Sequence, residues 1–353
     1  MALIGLRYDF RNRPSGPTPT GELYRACLDQ CGWADERGFD YAAISEHHGA
    51  EDGFLPAPLA NAGSIAGRTR RLGITIAALL LPLHDPVRVA EDLAVLDLTS
   101  GGRVITVIGA GYRPEEFHMA GVAKADRGRL VEEYVWVLRL AWTGEPFEWR
   151  GRTIRVLPVP ATRPHPTLLI GGSSVVAARR AARLRLGFFP PVADPELAAA
   201  YEQECQAIGF TQGFVSLPSG PGFVHVSDDP DRDWQRLSPY MLHDAGVYHS
   251  WQTPDIRSSV HVESPDLDGI KASGIYRVVT PEECVALAGE VGPLGAIILH
   301  PLLAGMPPEL GWESLELFAS RVLPSLRGGA AAAPAPTSGA SGVAPAHGTA
   351  PHP

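Results

Sequence analysis

Strand-like and helix-like segments alternate along most of this 353-residue chain, and this alternation narrows the possible folds most. Residues 72–80 are almost wholly apolar, as expected of a strand covered on both faces. A helix-like segment follows at 86–98, with a proline near its first turn, and the next strand-like segment is 103–109. About eight such units, without a glycine-rich dinucleotide-binding turn, favour a closed parallel (β/α)8 barrel, the TIM-barrel architecture, over an open doubly wound sheet. The predicted strands span residues 3–8, 40–45, 72–80, 103–109, 167–170, 187–190, 213–227 and 294–300.

Two stretches interrupt the alternation, and a third ends the sequence. Residues 145–166 predict a short β excursion, and residues 228–274 predict an irregular insertion late in the barrel, rich in tryptophan and tyrosine. Insertions in such barrels often cover the active mouth. Residues 328–353 contain no charged or aromatic residue and cannot bury enough apolar surface to offset chain entropy. We therefore predict a barrel domain over residues 1–327 and a disordered tail over residues 328–353.

Charge and cysteine content exclude several functional classes. With 39 acidic against 30 basic residues and a net charge of −9, the chain lacks the basic face that nucleic acid or an anionic membrane surface requires. Its longest strongly apolar run, residues 74–83, is about half the roughly 20 residues of a membrane-spanning helix. Four cysteines do not form a disulfide framework, and no His or Cys spacing indicates a metal site. We expect a cytoplasmic protein without nucleic-acid, membrane or metal partners.

The ends of the predicted strands are where a barrel builds its site. The fifth predicted strand ends in Gly171-Gly172-Ser173-Ser174 and continues directly into a helix. Glycines allow a ligand to approach the backbone closely, and the start of a helix offers free N–H groups, so this turn suits a phosphate. A plain strand–helix turn with a serine cap explains the same residues. The sequence alone leaves both interpretations open.

Histidines and small residues mark other strand ends. The second predicted strand ends in Glu46-His47-His48, where a histidine can act as a base or hydrogen-bond donor near neutral pH, although a polar surface pair also fits. The segment Gly109-Ala110-Gly111 suits either a flat ligand packed over the backbone or a tight turn. His300, after the last predicted strand, either faces a substrate cavity or bridges loop carbonyls, and the second role is favoured.

Four segments, in order along the chain, resemble the bacterial luciferase-like family of flavin-dependent oxidoreductases. They are GFDYAAISEHHG (38–49), RLGITIAALLLPLHDPVRVAEDLAVLDLTSGGRVITVIGAGYRPEEF (71–117), GGSSVVAARRAA (171–182) and HPLLAGMPPELGWESLELFASRVLP (300–324). The resemblance covers residues 3–326 and is nearest to the luciferase α-subunit type, because of the Glu-His-His segment. It implies a (β/α)8 barrel that binds a flavin at its C-terminal mouth.

The resemblance implies roles for individual residues. His47 matches the family's catalytic histidine. Ala77-Ala78 matches the position of a non-prolyl cis peptide beneath the isoalloxazine ring, and the turn 171–174 matches the phosphate-binding turn. Tyr112 lies where the loop after the fourth strand faces flavin and substrate, and we expect His48 and His300 to contact the substrate as well.

One residue departs from the family pattern. The luciferase α subunit has an arginine after the fourth strand that contacts the flavin phosphate, and Ala110 stands in its place here. Ala110 would still line the cofactor. Arg113 and Arg179 are the candidates to replace the missing charge, and a loosely held flavin would suit an enzyme that receives it already reduced.

Three functions are compatible with the resemblance. The first is a monooxygenase that takes reduced FMN from a separate flavin reductase, forms a peroxyflavin with O2 and oxygenates a small organic substrate. The second is an F420-dependent dehydrogenase or reductase on the same barrel, with His47 as proton acceptor. The third is a flavin-binding relative without catalysis. The Glu-His-His segment favours FMN over F420, and the presence of His47 argues against the third. Luciferase relatives dimerise through an early helix pair, which predicts a homodimer through residues 58–68 and 86–98.

Overall fold

Parallel strand pairing organises the computed structural model, which describes residues 1–14, 16–253 and 256–328. The strands are β1 (Leu3–Tyr8), β2 (Tyr41–Ile44), β3 (Gly73–Leu79), β4 (Val104–Ile108), β5 (Phe147–Trp149), β6 (Arg152–Ile154), β7 (Thr167–Gly171), β8 (Gly187–Phe189), β9 (Phe223–Val226), β10 (Tyr276–Val279) and β11 (Ala296–Leu299). The helices are α1 (Thr20–Arg37), α2 (Pro58–Arg68), α3 (Pro86–Ser100), α4 (Pro114–Ala120), α5 (Arg127–Ala141), α6 (Val175–Arg183), α7 (Pro195–Ala207), α8 (Pro230–Trp251), α9 (Leu267–Ser273), α10 (Pro281–Val291), α11 (Pro308–Leu317) and α12 (Leu323–Leu326).

The sheet closes into the predicted (β/α)8 barrel. Strands β11, β1, β2, β3, β4, β7 and β8 lie side by side in this order, each parallel to the next. The segment that precedes β9 pairs with β8, the last of these strands, and β9 itself pairs with β11, the first. Phe188 of β8 donates its N–H to the Phe214 carbonyl (3.0 Å) and accepts from the Ser216 N–H (2.9 Å), while β9 pairs with β11. The carboxyl ends of these strands therefore meet at one mouth.

Buried polar groups fix single elements onto this barrel. Asp35 of α1 accepts hydrogen bonds from the backbone N–H groups of Arg70, Arg71 and Leu72 at 3.0, 2.6 and 2.6 Å. It thereby ties the end of the first helix to the start of β3. Gly38, at φ +75°, ends α1 in a left-handed conformation that glycine adopts without steric cost.

The excursion at 145–166 is confirmed, since β5 and β6 form an antiparallel hairpin apart from the barrel. Strand β10, which pairs in parallel with β9, is not among the predicted strands. The predicted tail lies outside the described residues, apart from Gly328. Within the described ranges, no helix is long and apolar enough to cross a membrane.

The prediction of an irregular insertion at 228–274 is wrong for its first half, because α8 is a helix of 22 residues. Its buried side chains recur at helical spacing, and they are Asp233, Leu237, Tyr240, Met241, Asp244, Ala245 and Tyr248. Two of these are aspartates and Pro239 lies inside the helix, so the apolar periodicity that identifies a helix is interrupted. The aspartates are tolerated on this face because the buried side chains of Ser227, after β9, and Tyr276, in β10, donate to Asp233 and Asp244, both at 2.6 Å.

Candidate active site

His47 is held at the barrel mouth by a buried carboxylate. It follows β2, is 8% exposed, and its Nδ1 lies 2.8 Å from Oε1 of Glu116 in α4. The same Oε1 accepts the His48 backbone N–H at 3.0 Å. A carboxylate accepts but does not donate, so Nδ1 carries the proton and Nε2 of the neutral ring keeps its lone pair. This arrangement presents Nε2 as a proton acceptor.

The surroundings of His47 keep it neutral. Burial lowers the pKa of His47, and the nearby guanidinium groups of Arg11 and Arg113 lower it further, while the hydrogen bond to Glu116 opposes both. The net direction is downward from the ordinary value of a histidine. A neutral imidazole that can accept a proton is what general-base chemistry requires.

Glu46, His48 and His84 form a second hydrogen-bonded cluster beside His47. Oε1 of Glu46 lies 2.8 Å from Nε2 of His48 and 2.6 Å from Nε2 of His84, and Oε2 accepts the Leu80 N–H at 2.6 Å. Burial alone would raise the pKa of Glu46, but these hydrogen bonds outweigh it and lower that pKa to about 2. The hydrogen bond to Glu46 raises the pKa of His48. One possible metal-ligand atom from each of these three side chains lies within 4.8 Å of the other two. The two hydrogen bonds to Glu46 account for that spacing. The cluster joins the end of β2 to the residues after β3.

Aromatic side chains cover His47. The ring centroids of Phe54, Trp251 and Tyr112 lie 4.7, 4.9 and 5.5 Å from its own. Trp251 ends α8, which confirms that the insertion covers the mouth. Its indole also lies 4.5 Å from the guanidinium carbon of Arg11 and 4.1 Å from that of Arg113. The covering rings reduce the access of water to the imidazole.

A buried ionic network lies beside this aromatic cover. Arg11 is fully buried, pairs with Asp52 at 2.6 Å and lies 3.5 Å from Asp244 of α8. His300 lies here as well, buried, with Nε2 3.6 Å from Oδ1 of Asp9. The structure thus places this histidine, which the sequence predicts to contact the substrate, beside Asp9 within the barrel. His48 and Tyr112 do lie next to His47.

Small residues form a platform across the neighbouring strands. The Ala77–Ala78 peptide of β3 is cis, as the resemblance implies. A Cβ built on Gly109, which follows β4, would lie 2.9 Å from Cβ of Ala78, so a larger side chain would not fit there. Ala77, Ala78 and Ala110 are only partly buried, although the strand residues around them are buried. These small, partly exposed residues leave no bulky side chain on this part of the rim.

The turn after β7 has the donor chemistry for a phosphate. Gly172 has φ +144°, a conformation that favours glycine, and a Cβ there would lie 2.6 Å from Cβ of Ala177. Ser174 caps α6 by accepting the Ala177 N–H at 3.2 Å, while the first N–H groups of a helix have no partner within it. The platform and this turn together fit a flavin with a phosphate tail.

Within the described residues, neither arginine suggested by the sequence makes a hydrogen bond to this turn. Arg113 donates to the His48 carbonyl at 2.9 Å and lies 3.5 Å from Oε1 of Glu116, so it belongs to the His47 site. Arg179 is exposed on α6. Ala110, which replaces the expected arginine, packs against the hydrophobic core.

Sequence reasoning missed Glu116, Arg11 and Trp251. Glu116 lies in the quoted segment 71–117, where a carboxylate shortly after a strand-end tyrosine was a usable signal. Arg11 follows the first predicted strand by a few residues, and barrel sites are built from such positions. No sequence signal separates Trp251 from the other aromatic residues of the insertion.

A family model and curated relatives match this chain. The model of the luciferase-like monooxygenase family matches residues 7–284. 4-Hydroxyprotoasukamycin monooxygenase from Streptomyces nodosus subsp. asukaensis is 33% identical over 132 residues, which cover 37% of this chain and 35% of the relative. Limonene 1,2-monooxygenase from Rhodococcus erythropolis is 26% identical over 318 residues, covering 83% and 79%. FMNH2-dependent dimethylsulfone monooxygenase from Pseudomonas putida is 30% identical over 168 residues, covering 44% and 46%. The chain thus spans less than half the length of the first and third relatives.

Solved structures share the fold. A monooxygenase from Streptomyces bottropensis superposes with a TM-score of 0.72 and 24% identity, covering 92% of this chain and 99% of that one. The oxygenating constituent of 3,6-diketocamphane monooxygenase from Pseudomonas putida, in complex with FMN, gives 0.70 and 19%, with coverage of 92% and 99%. An F420-dependent secondary alcohol dehydrogenase with an F420–acetone adduct gives 0.65 and 18%, again covering 92% and 99%.

Proposed function

Because the chain belongs to the luciferase-like monooxygenase family, we propose that it is an oxidoreductase that uses reduced FMN and O2 to oxygenate a small organic substrate. One observation carries the proposal most directly. Consecutive neighbouring strands bring His47 (after β2), Ala77–Ala78 (β3), Gly109 (after β4) and the turn 171–174 (after β7) to one rim of the barrel. Three strand spacings of about 4.8 Å separate the first from the last, roughly 14 Å in all. That span is of the order of the length of a flavin mononucleotide.

The pairing register of the strands supports the placement of the His47 imidazole beside the Ala77–Ala78 peptide. Ile44 of β2 pairs with Ile76 of β3, so the residues up to His47 continue next to the residues that follow Ile76. Glu46 makes the connection direct by accepting the Leu80 N–H. Ile108 pairs with Ile170, which places Gly109 next to Gly171 in the same way.

The bound cofactor would supply two electrons and deliver one atom of O2 to the substrate, while the other atom leaves as water. In this reaction His47 holds or accepts a proton at Nε2, and Glu116 fixes the tautomer that leaves Nε2 free. Trp251 and Phe54 exclude water from the ring. The platform 77–78 and Gly109 orients the flat cofactor.

Cofactor titration tests the proposal. We expect anaerobic titration to show binding of reduced FMN, followed by O2 consumption when air is admitted. Binding of F420 without FMN would replace the proposal by the dehydrogenase alternative. Binding of a flavin with neither O2 uptake nor hydride transfer would indicate a non-catalytic relative.

His47→Ala tests the role of the imidazole, once a panel of ketones, terpenes and sulfones has identified a substrate. We expect oxygenation to fall about 100-fold, within the usual range for general acid–base groups, with little change in flavin affinity. The matched control is His118→Ala, which removes an exposed histidine from α4. Unchanged turnover in His47→Ala would remove this residue from the mechanism.

Two partners complete the proposal. A separate reductase supplies the reduced flavin, and the protein acts as a homodimer in the cytoplasm. Val95 and Leu98 of α3, which are 51% and 46% exposed, support a contact through α2 and α3. Light scattering of the purified protein measures the oligomeric state.

A further inference from the structure

We propose that Arg257, a residue of the insertion, binds the phosphate of the flavin mononucleotide and replaces the arginine that is missing at position 110. This inference rests on the proposed function, because it concerns how this chain holds the same cofactor. Arg257 lies 84 residues after Ser173 in the sequence, and only the tertiary structure brings it to the turn 171–174.

Two contacts place Arg257 at that turn. Its backbone N–H donates to Oγ of Ser173 at 3.3 Å, and its Nη2 donates to the Ser173 carbonyl at 3.2 Å. Its Nη1 pairs with the carboxylate of Asp194, the residue that caps α7. Two residues later, the Ser259 N–H donates to the Pro191 carbonyl at 2.9 Å. The segment is therefore fixed both to the turn after β7 and to the loop after β8.

The chemistry of this position suits a phosphate. A guanidinium carries five N–H donors in a planar fork, so it can keep its contact with Asp194 while it binds phosphate oxygens. The Arg257 side chain is 49% exposed, which leaves it accessible to a ligand. The free N–H groups at the start of α6, a helix of nine residues, lie at the same turn and add a second source of positive potential.

Two other arginines have partners elsewhere, while Arg179 is exposed on α6. Arg180 of α6 donates to Glu132 at 3.1 Å, and Arg113 stacks on Trp251 in the His47 site. Arg257 is the arginine whose backbone and side chain both contact a residue of the turn, namely Ser173. Its position explains how the chain tolerates alanine at position 110.

Comparison of two flavins isolates the phosphate contact. Reduced FMN and reduced riboflavin share the ring and the ribityl chain and differ in the phosphate, so each is titrated anaerobically into the full-length protein and followed by absorbance and calorimetry. We expect the wild type to prefer FMN. Arg257→Ala should weaken FMN binding about 10-fold, as expected of a charge-assisted hydrogen bond that is partly exposed, and leave riboflavin binding unchanged. Arg257→Lys keeps the positive charge without the planar guanidinium group, and its affinity for FMN should lie between those of the wild type and Arg257→Ala.

Arg70→Ala is the matched control, because Arg70 is an exposed arginine at the opposite, amino end of β3. It should bind both flavins as the wild type does. Equal affinity of the wild type for the two flavins would overturn the role of Arg257 and leave the flavin proposal intact, as would unchanged FMN affinity in Arg257→Ala. Equal loss of both flavins in Arg257→Ala would assign the residue a structural role instead. A wild type that binds neither flavin, or F420 alone, would overturn both proposals.

Discussion

Glu116→Gln changes the partner of His47 while it keeps the size of the side chain. The carboxylate accepts the Nδ1 proton across 2.8 Å between two buried groups, with side-chain exposures of 10% for His47 and 0% for Glu116. A neutral amide accepts the same proton but stabilises the protonated ring less. The pKa of His47, already lowered by burial, therefore falls further in this variant.

The magnitude follows from the loss of one charge. Hydrogen bonds to a charged group contribute about 1.5–3 kcal/mol, roughly twice a neutral one, so the imidazolium loses about 1–1.5 kcal/mol of stabilisation. This loss corresponds to about one pH unit. The acidic limb of the pH–rate profile, where His47 becomes protonated, should move to lower pH by that amount. Turnover on the plateau should fall about 10-fold, because the ring is a weaker base and is oriented less firmly.

The assay is the pH dependence of substrate oxygenation, with the imidazole 15N resonances of His47 as a direct measure of its tautomer. Glu115→Gln is the matched control, since Glu115 is the exposed neighbour of Glu116 on α4. We expect the wild type and this control to share one profile and a protonated Nδ1. A Glu116→Gln profile that superimposes on theirs would refute the role of the carboxylate.

Two further predictions concern stability. Burial lowers the pKa of His225 in β9 to about 4. The unfolded chain therefore binds a proton at this histidine near pH 6.5, whereas the folded chain does not. The free energy of unfolding consequently decreases as the pH falls from about 6.5 toward 4. Between pH 7.5 and 5 the free energy of unfolding should fall by about 2 kcal/mol for this reason. Urea titrations at the two pH values measure this difference, and His225→Gln should abolish it. An equal pH dependence in the wild type and the variant would contradict the account. Asp35→Ala leaves three backbone N–H groups of residues 70–72 without their acceptor. We expect it to lower the free energy of unfolding by about 2–4 kcal/mol. Asp29→Ala, at an exposed position of the same helix, is the control and should change that free energy little. Equal effects of these two aspartate variants would show that the contacts of Asp35 do not stabilise the fold.

Local patterns predicted the barrel because its strands are covered on both faces. The apolar segment 72–80 contains β3 (Gly73–Leu79), and the segment 103–109 contains β4 (Val104–Ile108). The same local logic failed for α8, whose buried face carries Asp233 and Asp244. Asp244 pairs with Tyr276 of β10, which donates to it at 2.6 Å across 32 residues of sequence, and no local pattern shows such a pairing.

The residues of the candidate site show the same difference between what a local pattern predicts and what depends on contacts between distant segments. The sequence determined that His47 and the turn 171–174 stand at strand ends and that Ala77–Ala78 lies in the third strand, because strand periodicity indicates where each strand runs and parallel connection places all carboxyl ends at one mouth. Only the tertiary structure decided their partners. Glu116 reaches His47 across 69 residues, and Arg257 reaches Ser173 across 84. Contacts over such separations depend on how loops and an added helix pack onto the barrel, and that packing is set by the whole chain rather than by any one segment.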